Sequence, residues 1–341
     1  MKNGLTQTEA LDIEGKYTDE VPQYTGVYYR DANDLIMHDL KERGLLLKKE
    51  SITHSVAMCP RTGVPLIYKT QDSWFINIQS IKHLLAVNNE KINWLPEHLK
   101  HGRFAKSMES APDRCISRTR YWATPMPVWA SEAGDMIVLG SREEIYEWSM
   151  TGSKNIEKKD VDGKVVYRDI VRDREFDLHR PFIDDVWFVK DGVRYDRIPE
   201  VLDPWLDSGS MPYAQMHYPF ENQEAFLASF PADYVAEYVG QVRAWFFFMH
   251  AIATMLTMPY KLVEGAQGRG SLVDDKPVLP VVPEKYNSPA FTNVVCTGVL
   301  GGDDGRKISK SLGNYPDPRY ALEQYGGDTM RMYMCTSPIV L

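Results

Sequence analysis

Glycines, cationic side chains and hydroxyl side chains are concentrated in one segment, GGDDGRKISKSLGN at residues 301–314. Groups of these types bind the oxygens of a triphosphate, and stabilising a leaving pyrophosphate is much of the catalysis in phosphoryl or nucleotidyl transfer. The alternative is a solvated basic loop or a phosphorylation site, and the segment alone leaves both open. The side chains concerned are Arg306, Lys307, Ser309, Lys310 and Ser311.

The cysteines and histidines do not form a metal-binding pattern. The cysteines lie far apart without a Cys-x-x-Cys pair, which argues against a zinc knuckle and against a disulfide framework. His98 and His101 are close on a predicted helix, but no third ligand lies nearby in the sequence. We therefore expect no zinc, and a reducing cytoplasm is the natural setting. The cysteines are Cys59, Cys115, Cys296 and Cys335.

The composition is that of a globular protein with an acidic balance. Of the 341 residues, 43% are hydrophobic and 25% are charged, and roughly 150 residues per domain predicts about two folded units. The formal net charge of −8 argues against binding of nucleic acid through bulk electrostatics, so any contact with RNA must be local. One basic cluster is either such a contact or a solvated face: Lys100, Arg103, Lys106, Arg114, Arg118 and Arg120.

Neither a membrane span nor a secretion signal is predicted. The longest apolar run, from Trp245 to Met258, is interrupted by His250 and Thr254 and is shorter than the ~20 residues that a spanning helix needs. The N-terminal residues lack the apolar core of a signal peptide. The expected location is the cytoplasm, with no membrane partner.

Short helices and strands are predicted before residue 111. Apolar residues recur at helical spacing up to Gly44, a residue type that often follows the last helical turn. Ser80 is a candidate helix cap, and β-branched and aromatic residues are typical of strands. The predicted helices are 33–44, 80–87 and 96–110, and the predicted strands are 65–68 and 74–78.

The second half of the chain alternates strand-like, helical and turn-rich stretches. Charged and turn-rich residues indicate a small β-rich insertion, and proline and glycine mark a long surface loop. An apolar strand comes directly before the cationic segment. The predicted elements are an insertion at 131–200 with strands at 136–139, 164–167 and 186–189, a helical pattern at 231–260, a loop at 262–290 and a strand at 293–297.

The cationic segment and four further stretches resemble one family of enzymes. Lys-x-Ser-Lys-Ser followed by Leu-Gly-Asn is similar to the KMSKS loop of class I aminoacyl-tRNA synthetases, with Ile308 in place of the usual methionine. The further stretches are NWLPEHLKHGRF at 93–104, ISRTRYWATPMPVW at 116–129, DLHRPFID at 177–184, and DPWLDSGSMPYAQ at 203–215 with HYPFEN at 217–222. From about residue 17 to the end, the chain resembles the isoleucyl-tRNA synthetases. The valyl and leucyl enzymes do not usually carry the second and fourth stretches together.

The resemblance implies an adenylate site and a pocket for the isoleucine side chain. Lys307 and Lys310 match lysines that stabilise the pyrophosphate. Trp205 and Trp245 fall where the family places tryptophans against the isoleucine; a tryptophan is otherwise most often a core residue, but polar neighbours favour a pocket. The other implied contacts are Glu237, Gln241, Ser309 and Ser311 to ATP or adenylate, Gly298 and Val299 to adenine through the backbone, and Asp207 and Ser208 in the amino-acid pocket.

The chain departs from the family in the helix segment E-G-x-D-Q-x-R-G-W-F. Tyr238 replaces the first glycine, Gly240 replaces the aspartate, and Ala244 replaces the second glycine. The missing carboxylate leaves the ribose or loop contact that it normally makes without a counterpart.

The implied fold is α/β, the second half of a doubly wound, Rossmann-like nucleotide-binding domain with connective insertions. The implied segments are 1–115 as the tail of the editing and connective insertion, 116–130 and 200–341 as the half-domain with its KMSKS-like loop at 307–311, and 131–199 as a second connective insertion. The implied reaction is ATP- and Mg²⁺-dependent activation of isoleucine and transfer to tRNA(Ile). Zinc is not expected, because the positions of the family's knuckles contain only Cys59.

No His-x-Gly-His motif occurs in this sequence, and no helical anticodon domain follows the loop. The resemblance therefore implies the middle-to-second portion of the enzyme, and we expect activity to require the missing N-terminal half as a partner. The alternative is a truncated or split-gene product that folds and binds adenylate or a partner half without catalysis.

Overall fold

The computed structural model divides the chain into two compact units, Met1–Asp72 and Ser73–Leu341. Most of the predicted loop 262–290 lies outside the described residues. The described residues are 8–59, 62–69, 71–152, 156–159, 165–168, 177–261, 280–283, 287–302, 304–310 and 312–337.

The helices are α1 (Ala32–Glu42), α2 (Lys82–Glu90), α3 (Lys106–Glu109), α4 (Arg142–Gly152), α5 (Pro204–Gly209), α6 (Met211–Ala214), α7 (Gln223–Ser229), α8 (Trp245–Thr257), α9 (Pro318–Tyr325) and α10 (Gly327–Thr336). The strands are β1 (Phe75–Ile76), β2 (Asn93–Leu95), β3 (Arg114–Cys115), β4 (Ser117–Arg118), β5 (Val128–Ser131), β6 (Met136–Val138), β7 (Ile156–Lys159), β8 (Val165–Arg168), β9 (Trp187–Lys190), β10 (Val193–Arg197), β11 (Val201–Leu202), β12 (Val235–Tyr238) and β13 (Asn293–Thr297). Shorter turns are the 3₁₀ helices Pro22–Tyr24, Ile78–Ser80, Phe182–Asp185 and Val239–Arg243, and the π-helix Lys100–Ala105.

In the first unit, α1 confirms the helix predicted to end near Gly44. The chain leaves this helix where Gly44 takes a left-handed φ of +66°, a conformation that glycine adopts without a steric penalty from a Cβ. The strand predicted at 65–68 is wrong. Within it, Pro65 makes an isolated bridge to Met58, and proline has no backbone N–H with which to extend a ladder.

The second unit contains a parallel sheet in which β13 lies between β12 and β2. Val294 of β13 is opposite Val235 of β12 on one side and Trp94 of β2 on the other. Since α8 lies between β12 and β13 in the chain, these parallel strands have the connectivity of a βαβ unit. The strand predicted at 293–297 is confirmed.

Helix α8 is buried along most of its length. Phe246, Phe248 and Ala253 are at most 1% exposed, and the helix packs against α5 and α2. The helical pattern predicted over 231–260 is correct for α8 but wrong for residues 235–238, which form β12. Their pairing with β13, a contact between segments distant in sequence, outweighs the local helical spacing.

The charged region after residue 127 forms an antiparallel sheet in the order β6-β5-β10-β9, and β7 pairs with β8. The indole N–H of Trp129 donates to the carbonyl of Val186 at 2.7 Å, and Trp129 and Phe188 are fully buried in a separate core. These strands confirm the predicted β-rich character of the insertion. They begin with β5, a few residues before the predicted start at 131.

One strand of the parallel sheet comes from the segment that the resemblance assigns to the editing and connective insertion. Strand β2 lies within the range 1–115, yet it is hydrogen-bonded into the parallel sheet. Ser80 ends a 3₁₀ helix instead of capping α2, which is preceded by Ile81. The helix predicted at 96–110 contains the π-helix and α3, and the strand predicted at 74–78 is shorter as β1.

Two polar contacts join α8 to α2. The buried amide of Asn88 donates to the hydroxyl of Thr254 at 3.0 Å. Nε2 of His250 lies 2.9 Å from the carbonyl of Leu85, and since a carbonyl only accepts, this nitrogen carries the proton. His250 is fully buried, and its Nδ1 has no hydrogen-bond partner among the described residues.

In the described part of the chain, no helix is long and apolar enough to cross a membrane.

The burial of His250 predicts a loss of stability in acid. Burial lowers the pKa of its imidazole to about 4 from 6.5, so on acidification the unfolded chain binds a proton before the folded chain does. The contribution of His250 to the unfolding free energy is therefore fully present above pH 6.5 and is lost as the pH falls towards 4. The interval corresponds to an unfolding free energy on the order of 3 kcal/mol.

Urea unfolding at several pH values tests this prediction. His250→Gln, which keeps a donor but does not titrate, should show a flatter pH dependence than the wild type. His98→Gln, at an exposed position, is the control and should leave the dependence unchanged. Parallel curves for the wild type and His250→Gln would contradict the prediction.

Candidate functional site

Helix α5 begins at an aspartate that is both a helix cap and an ion-pair partner. Asp203, 2% exposed, accepts a hydrogen bond from the backbone N–H of Trp205 at 3.2 Å and pairs with Arg118 at 2.8 Å. Aspartate at the cap and Pro204 at the first helical position both favour helix initiation. Because β4 pairs with β11, Arg118 is held beside Asp203, and the start of the helix that carries Trp205 is fixed.

Helices α5 and α8 approach closely because residue 209 is glycine. A Cβ at Gly209 would lie 2.8 Å from the Cβ of Phe248, closer than real contacts allow. At the same contact the indole N–H of Trp245 donates to the carbonyl of Ser208 at 2.9 Å. Two residues of the predicted amino-acid pocket, Ser208 and Trp245, are therefore in contact. Trp205 lies on the preceding turn and is 37% exposed.

Asp207 lies where two of the family-like stretches meet. The hydroxyl of Thr124 donates to its carboxylate at 3.0 Å, and the carbonyl of Thr124 accepts from Leu202 at 2.7 Å. Partial burial raises the pKa of the Asp207 carboxyl, and the charge of Asp203 acts in the same direction, whereas the Thr124 hydrogen bond lowers it. A carboxylate in this situation is stabilised by a cation, so the position suits the ammonium group of an amino acid.

Glu237 and Gln241 lie at the carboxyl end of β12. Glu237 is on the strand itself, not on the helix that the resemblance implies, and its carboxylate accepts from the backbone N–H of Tyr238 at 3.0 Å. Gln241 lies in the following 3₁₀ helix, and its side-chain oxygen accepts from the backbone N–H of Trp245 at 3.3 Å. The polar side chain of Gln241 is thus tied to the start of α8.

Gly298 and Val299 follow β13 at the same end of the sheet as the residues that follow β12. Because β12 and β13 are parallel, the residues after both strands come together at their carboxyl ends, where open α/β sheets bind ligands. Val299 is 43% exposed. The structure therefore brings the predicted adenine contacts to the carboxyl end of the sheet, where Glu237 and Gln241 also lie.

The cationic segment folds as a closed loop after β13. The backbone N–H of Ile308 donates to the carbonyl of Leu300 at 3.1 Å, which makes the first part a hairpin. The side chain of Asn314 then joins three parts of the loop: its oxygen accepts from the N–H of Ser309 at 2.9 Å, and its nitrogen donates to Asp304 at 3.2 Å and to the carbonyl of Lys307 at 3.3 Å. The sequence interpretation did not single out Asn314, although it closes the KMSKS-like motif.

The cations of this loop are not equivalent. Arg306 pairs with Asp304 at 2.7 Å; a hydrogen bond from the backbone N–H of Arg306 lowers the pKa of the Asp304 carboxyl, with help from Asn314 and the guanidinium. Nζ of Lys307 lies 3.3 Å from the hydroxyl of Tyr238 and 4.3 Å from the centre of its ring. Lys310 is exposed. Among the described residues, the ammonium of Lys307 has an aromatic and not a carboxylate partner. Ser311 lies outside the described residues.

Three members of the basic cluster contact other protein groups. Lys100 pairs with Glu90 at 3.4 Å, the guanidinium of Arg114 lies 4.9 Å from the ring centre of Phe248, and Arg118 pairs with Asp203. His101 lies 3.6 Å from Glu90. These contacts favour the interpretation of the cluster as a structural and solvated face.

A metal ligand set is not evident at this site. Within the described residues, a group of side chains close enough to share an ion occurs on α1, formed by His38, Asp39 and Glu42. His38 and Glu42 are exposed, and exposed acidic groups are common without a metal.

The family model for tRNA synthetases class I (I, L, M and V) matches residues 5–341. The chain belongs to this family. This class I synthetase chain therefore has the α/β fold class that the sequence predicts, and the parallel β12-β13 pair with α8 is part of it. The individual roles of the site residues remain predictions.

Curated relatives of this class I synthetase chain are much longer than the chain itself. An isoleucine-tRNA ligase of Protochlamydia amoebophila (strain UWE25) is 38% identical over 339 residues, which are 99% of this chain and 28% of that protein. An isoleucine-tRNA ligase of Chlamydia pneumoniae is 39% identical over 330 residues, 97% of this chain and 27% of that protein. A solved ternary complex of Agrobacterium radiobacter K84 agnB2 LeuRS with tRNA and LeuAMS is 19% identical, with a TM-score of 0.40 over 67% of this chain and 25% of that one. The chain thus spans little more than a quarter of the relatives' length.

The close approach at residue 209 predicts that a methyl group there is costly. Gly209→Ala should lower the unfolding free energy by about 1–3 kcal/mol, the usual cost of overpacking, because the new Cβ would displace α5 from α8. Gly327→Ala, at a helical position with no atom within 4 Å of the new Cβ, is the matched control and should cost nothing. Urea unfolding of both variants measures the difference, and equal stability would contradict the assigned packing.

Proposed function

We propose that this chain is the part of an isoleucine-tRNA ligase that holds the second half of the adenylate-forming site. The observation that carries the proposal is the arrangement at the carboxyl ends of β12 and β13. There Glu237 and Gln241 lie beside a cationic loop that contacts Tyr238 through Lys307. The similarity to isoleucine-tRNA ligases along 97% or more of the chain supports isoleucine as the amino acid.

In the proposed reaction, a carboxylate oxygen of isoleucine attacks the α-phosphorus of ATP. The bond from that phosphorus to the bridging oxygen of the β-phosphate breaks, which yields isoleucyl-adenylate and pyrophosphate. A hydroxyl of the terminal ribose of tRNA(Ile) then attacks the acyl carbon and releases AMP. Mg²⁺ enters bound to the phosphates of ATP, and since Mg²⁺ commonly keeps its waters and binds through substrate phosphates, the loop need not offer it a carboxylate.

The loop residues act on the phosphates. Lys307 and Lys310 stabilise the negative charge that moves onto pyrophosphate as it leaves, an interaction that is stronger in the transition state than in the ground state. Hydroxyl groups of Ser309 and Ser311 donate to phosphate oxygens. Arg306 contributes less, because its guanidinium is already paired with Asp304.

The other residues position adenylate and amino acid. Glu237 and Gln241 position the adenylate, and the backbone of Gly298 and Val299 contacts adenine. The two tryptophans, Trp205 and Trp245, provide flat apolar walls for the branched side chain, next to Ser208 and Asp207. Isoleucine and valine differ by one methylene. In an apolar pocket that difference changes the binding free energy by about 1–3 kcal/mol, which limits discrimination by binding alone.

The proposed partner is the N-terminal half of the enzyme, with its His-x-Gly-His motif. Among the described residues, β12 and β2 form the two edges of the parallel sheet, and parallel sheets are normally extended and covered on both faces. We assign residues 200–341, together with β2 and 116–127, to the half-domain, and β5 to β10 to the connective insertion. Zinc has no role in this proposal.

Isoleucine-dependent ATP–pyrophosphate exchange tests the proposed function. The 341-residue chain alone should show no exchange, and activity should appear on co-expression with the His-x-Gly-His half of an isoleucine-tRNA ligase. Absence of exchange from the well-folded pair would refute the proposed function. Strong exchange by the chain alone would refute the division of roles between the halves.

A charge deletion in the same complemented enzyme tests the loop. Lys310→Ala should lower the maximal exchange rate by ~10²-fold or more while isoleucine binding is nearly unchanged, because the lysine acts on charge that develops in the transition state. The control is Arg306→Ala, which should cost much less. A raised KM for isoleucine with an intact maximal rate would contradict the role of Lys310.

A further inference from the structure

Two of the departures from the family motif are in contact with each other. Tyr238 ends β12, and Gly240 follows in the 3₁₀ helix. A Cβ built at Gly240 would overlap ring atoms and the hydroxyl of Tyr238. The tyrosine ring therefore occupies the space that any other side chain at position 240 would need.

Conformation does not explain the glycine. Gly240 is absent from the glycines with positive φ, so an L-residue could adopt its backbone. Space for the ring is the remaining requirement, and it makes the tyrosine and the glycine interdependent: an aspartate at 240 is incompatible with Tyr238 in this position.

The same ring contacts the first lysine of the KMSKS-like loop. The ammonium of Lys307 lies 4.3 Å from the ring centre and 3.3 Å from the hydroxyl oxygen, within the range of a cation–π contact. Tyr238 belongs to β12 and Lys307 to the loop after β13, so the contact joins the two strand ends that form the candidate site.

A ring and a carboxylate hold a cation with different consequences. Asp304 holds Arg306 by an ion pair, which compensates the charge of the guanidinium. The face of an aromatic ring attracts an ammonium through its quadrupole and carries no net charge. Lys307 is therefore held at the carboxyl ends of β12 and β13, with its full charge available to a phosphate.

We propose that Tyr238 is a positioning residue that holds Lys307 for the phosphates, and that Gly240 is required to make room for it. This inference rests on the proposed function for its catalytic meaning. The contact itself is testable without activity.

Lysine side-chain NMR of the full chain measures the contact directly. With ¹³C-labelled lysine, the ε-methylene protons of Lys307, assigned by their loss in Lys307→Gln, should lie upfield of those of Lys310 because of the ring current. Tyr238→Phe keeps the ring and should keep the shift; Tyr238→Leu should abolish it. Gly240→Ala should also abolish it by displacing a ring that is still present, so the test does not depend on one variant. An unchanged Lys307 resonance in Tyr238→Leu and Gly240→Ala would overturn the proposal.

Interdependence is measured by a double-mutant cycle. Gly240→Ala should move the ε-methylene resonance of Lys307 in the wild type, because the ring is displaced, whereas in the Tyr238→Gly background the same change should leave that resonance where it is, because the ring is gone. An equal change in both backgrounds would overturn the assigned role of Gly240.

The exchange assay of the complemented enzyme distinguishes positioning from a structural role. Tyr238→Leu should lower the maximal rate by about three- to fivefold, the order expected of an exposed cation–π contact, with the KM for isoleucine unchanged, and Tyr238→Phe should retain most of the rate. Equal rates for Tyr238→Leu and the wild type would overturn the proposal. If the wild-type pair shows no exchange, the proposed function fails, and the spectra and the cycle alone decide the inference.

Discussion

The burial of α8 against α5, α2 and the parallel sheet determines where the candidate site lies. An α-helix whose aromatic residues, such as Phe246 and Phe248, are fully buried must be covered on all sides. Gly209 allows α5 to cover one side at close range. This packing brings Ser208 to the indole of Trp245, so an element of the core also carries a residue of the candidate site.

The second determinant is the parallel pairing of β12 and β13. Their carboxyl ends lie together, one followed by Gln241 and the start of α8, the other by the KMSKS-like loop. Closure of the loop by Asn314 then orders the cations. Of these, Arg306 is compensated by Asp304, and Lys307 reaches back to β12 through Tyr238. Core packing and strand pairing together thus place two different cations at the carboxyl ends of β12 and β13: Arg306, paired with a carboxylate, and Lys307, held by an aromatic ring.

Local sequence patterns predict part of this fold. The run of β-branched residues at 293–297 predicts β13 with its correct bounds, and apolar spacing predicts α1 and α8. The strand β12 is read as helix because its few residues precede a strongly apolar helix, and only pairing with β13 distinguishes the two conformations. Pro65 shows the opposite error, since composition favours a strand there but proline has no N–H to pair.

The candidate site divides in the same way. Motif similarity identifies Lys307, Lys310 and Trp245, because such side chains recur at fixed spacing around the loop and at the start of α8. It does not identify contacts between distant segments. Thr124 with Asp207, and Tyr238 with Lys307, depend on the way in which strands and helices bring together residues far apart in the chain.

The proposal that the adenylate binds at the carboxyl ends of β12 and β13, beside the start of α8, is best tested by a crystal structure of the complemented enzyme with a non-hydrolysable isoleucyl-adenylate analogue. We expect the isoleucyl side chain against Trp245, the adenosine at the carboxyl ends of β12 and β13, and the phosphate mimic facing the loop of Lys307. An analogue bound away from α8, with the ends of β12 and β13 free of ligand, would contradict it.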